Sequence, residues 1–464
     1  MKSRRNFLTT SGLAVSGALL SPLAALSNEQ KNKDKNVSED STGKKKKRLA
    51  MIGCGHRGTS MWGEKVVKGF SEYVEFVGLC DPNPGRVEHA KKRMEIPNCA
   101  GYTDFEKMMR EQKPDTLLVM TVDGFHHQYI IRGMELGADI ITEKPMTTDE
   151  TKCQAILDAE KKYGKKVTVT FNYRYSPHRQ ILWEHLRKGT IGKLTSVDFH
   201  WYLDTKHGAD YFRRWHRLRE FSGSLLVHKA THHFDLLNWW IDSDPTEVFA
   251  YGDLDFYGKN GTIRAENCRT CTHTKDCNFY TDITKDQYLM DLYVANEKYD
   301  GYLRDGCVFK NDINIFDKMC ASIKYANGVQ TSYSLTAYAP YEGYRIKFNG
   351  TEGVMEAWIQ ESNPTYSGGF DEIVITHNYT GKRDYIHIPQ AEGHGGGDEK
   401  LLNKIFNPNV TEDTYHQAAS VRDGALSILV GIAARNSIDT GKPVKIGEMT
   451  SIQPEVKKKY VGSI

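Results

Sequence analysis

Apolar residues first form an unbroken run at RLAMI, from Arg48 to Ile52, and a short run of this kind predicts a strand covered on both faces. Three glycines follow at once, Gly53, Gly55 and Gly58, and the next segment, TSMWGEKVVKGF, switches to helical spacing. A second strand-type run, VEFVGLCD, ends at Asp81. Further on, PDTLLVMTVDGFHHQYIIRGMELGADIITEKPMT reads as strand, loop, helix and strand, and runs into Glu143-Lys144-Pro145. Strands alternating with helices predict a parallel sheet with right-handed crossovers.

Later the pattern changes. KLTSVDFHWYL, EVFAYGDLDFYG, MCASIKYANGVQTSYSLTAY and YRIKFNGTEGVMEAWI read as strands, with ANG marking a hairpin turn. SVRDGALSILVGIAARNSIDTG predicts an amphipathic helix ending at Gly441, packed on the sheet of its own domain or back on the first. The fold class is therefore an α/β domain, residues 48–170, followed by an α+β domain, residues 171–464.

Length and composition allow this. The chain has 464 residues, 39% of them hydrophobic, enough for two cores. Its 62 basic and 59 acidic side chains nearly balance, which argues against a nucleic-acid binder. The lysines from Lys44 to Lys47 lie in a polar stretch and read as solvated.

The N-terminus is read as an address. SRRNFLTTSGLAVSGALLSPLAALS has paired arginines, Arg4 and Arg5, an apolar segment broken by Gly12, Gly17 and Pro22, and small residues at Ala25 and Ser27. It is similar to a twin-arginine export signal, residues 1–27, cleaved near Ser27. A retained membrane anchor is the other reading, but the run falls short of the roughly 20 residues that span a bilayer. Residues 28–47 contain Val37 as their one apolar residue and read as a disordered tether. The expected location is periplasmic or otherwise exported.

The glycines after the first strand have a chemical reading. In G-x-G-x-x-G between strand and helix, Gly53 permits the turn, Gly55 lets backbone approach a pyrophosphate, and Gly58 lets the helix pack on the strand. Asp81, ending the second strand, would accept from a ribose 2′-hydroxyl and repel a 2′-phosphate, so NAD is expected over NADP. Lys144 leaves its strand where open α/β sheets bind ligands, beside that cofactor.

These motifs together, with NYRYSP at Asn172, IGKLTSV at Ile191, GSLLVHKATHHFDLLNWW at Gly223, IKFNGTEGVME at Ile346 and GHGGGDEKLL at Gly393, resemble the Gfo/Idh/MocA family of NAD(P)-dependent oxidoreductases. The resemblance implies a Rossmann domain joined to an α+β domain with a mainly antiparallel open sheet that faces the cofactor, and a sugar, polyol or related substrate. It also implies a homo-oligomer. Lys144 would be an acid, a base or a substrate anchor, His232 would share the catalysis, and Asp235 would stand behind it. The implied cofactor contacts are Gly53, Gly55, His56, Arg57, Gly58, Asp81, Thr121, His126, Glu143 and Lys144. Tyr173, Arg174, Lys229, Asp235 and His394 are the expected substrate contacts, with packing at the domain junction as the alternative for Tyr173 and Arg174.

One departure stands out. Many family dehydrogenases have aspartate where this chain has His228, an imidazole with an ordinary pKa of about 6.5 that the neighbouring Lys229 should lower. Three functions therefore stay open. The first is oxidation of a sugar hydroxyl. The second is NAD-dependent glycoside cleavage by oxidation, elimination, addition and reduction, a branch that GHGGGD also resembles. The third is an inactive carbohydrate-binding protein of the same fold.

Nine cysteines, an odd number scattered along the chain, do not form a disulfide framework. ENCRTCTHTKDC is distinct: Cys268, Cys271, Cys277 and the later Cys307 have the ligand count for a structural zinc, with His273 as a substitute. An oxidised pair and buried free thiols are the competing readings.

Overall fold

The computed structural model describes residues 45–362, 370–389 and 392–458. The expected export signal and most of the tether lie outside them. The first described strand already includes Lys47.

Six strands form an all-parallel sheet: β1 (Lys47–Ile52), β2 (Val74–Cys80), β3 (Ala100–Tyr102), β4 (Thr116–Val119), β5 (Asp139–Thr142) and β6 (Val167–Val169). Their spatial order is β3-β2-β1-β4-β5-β6. The order reverses between β1 and β4, so the loops leaving those two strands open the crevice of a doubly wound sheet. The apolar run of β1 splits with period two. Leu49 and Met51 enter one core, while Ala50 and Ile52 enter the other.

The second sheet holds β7 (Leu194–Asp204), β8 (Pro245–Asp253), β9 (Lys318–Tyr325), β10 (Gln330–Ala339), β11 (Glu342–Gly350), β12 (Gly353–Ser362), β13 (Phe370–His377), β14 (Arg383–Pro389) and β15 (Val444–Lys445). Its order is β14-β13-β12-β11-β7-β10-β9-β8-β15, antiparallel except where β10 pairs with β7. β9 alternates exposed and buried residues without a break, the pattern of a sheet with one wet face. β13 and β14 were not anticipated from the sequence.

Two helices join the sheets. Glu392–Phe406 returns to the parallel sheet, where Leu401, Leu402 and Phe406 complete the core of Leu49 and Met51, with Trp62 edge-on to Phe406 at 6.3 Å. Val421–Thr440 starts in a capping box between Ser420 and Asp423 and ends at Gly441, as expected. It is not amphipathic: it packs against β8, β6 and the helices Ala230–Ile241 and Glu150–Tyr163, so its faces are covered by both domains. Among the described residues no helix is long and apolar enough to cross a membrane.

Candidate active site

The glycine loop after β1 has the shape its sequence implies. Gly53 sits at φ +98°, and a Cβ there would lie 2.5 Å from the Met120 carbonyl oxygen. A Cβ on Gly58 would lie 2.2 Å from the Gly53 carbonyl oxygen. Gly55 differs: a Cβ there meets only the Tyr293 hydroxyl, at 3.4 Å. Two glycines thus serve packing, and the third opens a space. Just past β2, the Asp81 carboxylate accepts from the amides of Cys54 at 2.8 Å and Asn83 at 2.9 Å. Burial pushes its pKa up, against the Arg86 guanidinium and the two amides. Each carboxylate oxygen keeps acceptor capacity for a ribose hydroxyl. These residues fit a dinucleotide.

Several expected cofactor contacts are engaged with one another. The Arg57 Nε donates to Glu143 at 2.6 Å, and its guanidinium lies 3.5 Å from Asp398. Glu143 also accepts from the Trp62 indole at 2.7 Å. Burial opposes its ionisation, but Arg57 and Trp62 hold the carboxyl below its ordinary range. This pair clamps the glycine loop to the end of β5. His56 is exposed at the loop. His126 is fully buried, its ring nitrogens 2.9 Å from the Pro145 carbonyl and 3.0 Å from that of Thr121. It braces the loops after β4 and β5.

Lys144 leaves β5 beside the loop after β4. Its Nζ donates to the His228 carbonyl at 3.1 Å, and burial lowers its pKa to about 8 against the pull of Asp123 and Glu143. The His228 Nδ1 lies 2.5 Å from Asp123 Oδ2. Burial, then the charge of Lys144, pushes the imidazole well down, and burial pushes the Asp123 carboxyl up. The expected lowering of His228 is present, with burial and Lys144 as larger causes than Lys229. With Nδ1 carrying its proton toward the carboxylate, Nε2 is left as the acceptor. Asp123 was missed in the sequence, although it stands in the loop after β4, where open sheets bind ligands.

His228 and His232 are four residues apart on a continuous helical path through Lys229, so they share a face. His232 stacks on Tyr173 with ring centres 4.1 Å apart. Lys229 and His233 share another face, toward the second sheet. His233 stacks on Trp201 at 3.9 Å and bonds the Tyr333 hydroxyl at 2.8 Å. The Lys229 Nζ donates to the Tyr173 hydroxyl at 3.0 Å and lies 3.4 Å from Glu342. Glu342 in turn meets His207 at 2.7 Å, and His207 meets the Tyr211 hydroxyl at 3.1 Å. Lys229 and His207 hold the Glu342 carboxyl down to about 2 despite its burial. Glu342, His207 and Tyr211 carried no signal in the sequence.

Three expected substrate contacts have partners within the chain. Arg174 is fully buried and forks onto Asp235 at 2.8 and 2.5 Å, with Asp423 at 3.1 Å. Arg174 and Asp235 therefore hold NYRYSP against the two central helices, the packing alternative. Tyr173 is buried between His232 and Trp201, with the Arg179 guanidinium 3.9 Å from its ring centre. His394 falls in the first turn of Glu392–Phe406, and its side chain is outside the described residues.

The zinc expectation finds no support. Cys268, Cys271, Cys277 and Cys307 do line one cavity of about 20 Å³, but among the described residues no group of three or more His, Cys, Asp or Glu side chains is placed to hold a metal ion. Three of these thiols accept hydrogen bonds from the chain. Cys268 Sγ accepts from the Arg213 guanidinium at 3.2 Å, Cys271 from the His273 amide at 3.3 Å, and Cys307 from the Phe309 amide at 3.4 Å. All nine cysteines are free.

A dinucleotide cradle at a topological switch point, joined to an open sheet with lysine, imidazole and carboxylate at the junction, is the arrangement of a two-domain nicotinamide-dependent oxidoreductase. Residues 47–171 match the oxidoreductase-family NAD-binding Rossmann fold and residues 184–446 its C-terminal alpha/beta domain, and the chain belongs to this Gfo/Idh/MocA family. It is 38% identical over 426 residues to the Bacillus subtilis protein named "Putative oxidoreductase YteT", covering 88% of this chain and 99% of that one. Levoglucosan dehydrogenase, solved with NADH and levoglucosan, superposes with a TM-score of 0.61 at 17% identity, over 87% of this chain and all of that one, which shows the shared fold. Glycosyl hydrolase family 109 protein 1 of Akkermansia muciniphila is 28% identical over 156 residues, 32% of either chain.

Proposed function

We propose that this protein is an exported NAD-dependent oxidoreductase that oxidises a secondary hydroxyl of a sugar or sugar derivative. The observation that carries the reading is Lys144, held by burial to a pKa of about 8 in contact with His228, itself paired to Asp123, at the mouth of the crevice where the glycine loop ends. The glycine loop around Gly55 would hold the pyrophosphate and Asp81 the ribose; NAD, when bound, supplies the hydride acceptor.

The residues of this chain handle the proton. Lys144 in its neutral form accepts the proton of the substrate hydroxyl, and burial makes that form accessible near neutral pH. His228 is a second acceptor, its tautomer fixed by Asp123. His232, one helical turn on, faces the same side and is oriented by its stack on Tyr173. The paired arginines and apolar segment at the N-terminus support export. Levoglucosan dehydrogenase among the structures of the same fold, and inositol 2-dehydrogenase among the relatives, support a carbohydrate or polyol substrate.

The test is an assay of the chain recovered separately from the cytoplasmic and exported fractions of its host, with NAD and a panel of free sugars, polyols and aryl glycosides in heavy water. One NADH per substrate consumed, from a processed chain in the exported fraction, is the expected result. Aglycone release with deuterium uptake and no net NADH would replace the dehydrogenase with the redox hydrolase. Cofactor binding without either signal would leave a binding protein.

A further inference from the structure

Between β8 and β9 the chain leaves the second sheet for more than sixty residues, from Leu254 to Asp317, and this insertion reaches the glycine loop of the other domain. At its far end the Tyr293 hydroxyl accepts from the His56 amide at 2.9 Å. The same hydroxyl is the one atom that a Cβ on Gly55 would meet. It therefore stands over the glycine that opens the cradle, on an amide of the segment that serves a pyrophosphate.

Adjacent contacts fix the insertion to the cradle's rim. The Asn83 amide group donates to the Asn296 carbonyl at 3.0 Å, and a Cβ on Gly85 would overlap the Asn296 side chain. Arg86 pairs with Asp300 at 2.8 Å, and its guanidinium lies 5.4 Å from the ring centre of Tyr293. The base of the insertion is fastened to the second domain: Arg304 pairs with Asp210 at 2.7 Å, and the thiol cavity closes around Arg213. A tyrosine hydroxyl is both acceptor and donor, so one that accepts from the loop amide retains a proton to offer a phosphate oxygen.

We propose that the β8–β9 insertion forms the outer wall of the dinucleotide site and that Tyr293 is a ligand of the cofactor's pyrophosphate, contributed by the second domain. The wall holds the bound dinucleotide against the glycine loop and slows its release. This rests on the NAD reading above, and it assigns part of the cofactor site to a segment outside the Rossmann domain.

The test uses the full chain and measures NAD binding by calorimetry and NADH release by stopped-flow fluorescence, with no substrate present. Tyr293→Phe removes the hydroxyl and keeps the ring. It should weaken NAD about tenfold, the loss of one hydrogen bond to a charged group, and accelerate release. Asp300→Asn breaks the pair that ties Arg86 to the insertion and loosens the rim, and it should accelerate release while the cofactor-free protein stays folded. Native protein that binds neither NAD nor NADP would defeat the oxidoreductase reading itself. Native protein that binds NAD, with affinity and release unchanged or improved in Tyr293→Phe, would overturn the wall proposal alone.

Discussion

At the scale of single residues, the site is decided by what burial does to charge. Lys144 would have a pKa near 10.5 in water, and removal from solvent lowers it to about 8 even with Asp123 and Glu143 beside it. For oxidation of a hydroxyl, the neutral amine is the active form, so kcat/KM should climb as pH rises through about 8 and then level. The reverse reduction needs the ammonium and should fall over the same window. Folding stability follows the same sign. The folded state binds this proton less tightly than the unfolded one, so stability rises with pH from about 8 toward the ordinary lysine value. Lys144→Arg keeps the charge but cannot deprotonate. It should lower turnover by roughly 10² to 10⁴ and erase the rise near pH 8, read from initial rates between pH 6.5 and 10. A native profile flat across that range would remove Lys144 as the base.

At the scale of elements, the short helix Leu225–His228 shows how the His228 imidazole is placed. Its N-cap, Ser224, is fully buried at φ +90° and ψ 171°, a region that side chains rarely adopt. Gly223 before it is also left-handed, at φ +71°. The turn swings the chain out of Arg219–Ser222 and aims His228 at Asp123. Ser224→Gly should relieve strain of about 1–3 kcal/mol and recover less than that, about 1 kcal/mol net, because glycine loses more backbone freedom on folding. Urea unfolding with an unchanged m-value would show the gain as a higher midpoint. A lower midpoint would mean that the serine side chain, not the turn, matters here.

The same scale explains what the sequence could disclose. β1, the glycine loop and the end of β2 were legible because each depends on neighbours a few residues away. Arg174, Asp235 and Tyr173 were read as substrate contacts because a buried ion pair and a binding site use the same residue types. Only the fold shows that Asp235 closes on Arg174, 61 residues earlier. The His228–Asp123 pair spans 105 residues and the Tyr293–His56 contact 237, so no local pattern could announce them. The four cysteines show the opposite error. Their spacing counts donors, and the fold does bring them to one cavity, but among the described residues no three of them are placed to hold a metal ion. Val421–Thr440 reads as amphipathic in the sequence, yet its charged Asp423 and Arg435 pair internally. Asp423 takes Lys458 and Arg174, and Arg435 bonds the carbonyls of Thr148 and Gly223.

At the scale of the molecule, the two sheets share a core. One apolar cluster runs from Ala50 and Ile52 of β1 through the helices Ala230–Ile241 and Val421–Thr440 to Phe199, Leu335 and Ile346 of the second sheet. The helix Glu392–Phe406 crosses back to cover the parallel sheet's other face, and Arg57 links that helix to β5 through Asp398 and Glu143. Neither sheet can lose its partner without exposing large side chains, each worth about 1.5–3 kcal/mol when buried. Unfolding should therefore be one transition, with tryptophan fluorescence, to which six of the seven tryptophans contribute from the second domain and Trp62 from the first, coinciding with loss of NAD binding, which reports the first. Because the dinucleotide binds only the folded chain, NAD at about 100 times its dissociation constant should add about 2.7 kcal/mol and move both signals together. Two separated transitions, with NAD shifting only one, would mean that the common core does not couple the domains and that the crevice between them opens before either sheet melts.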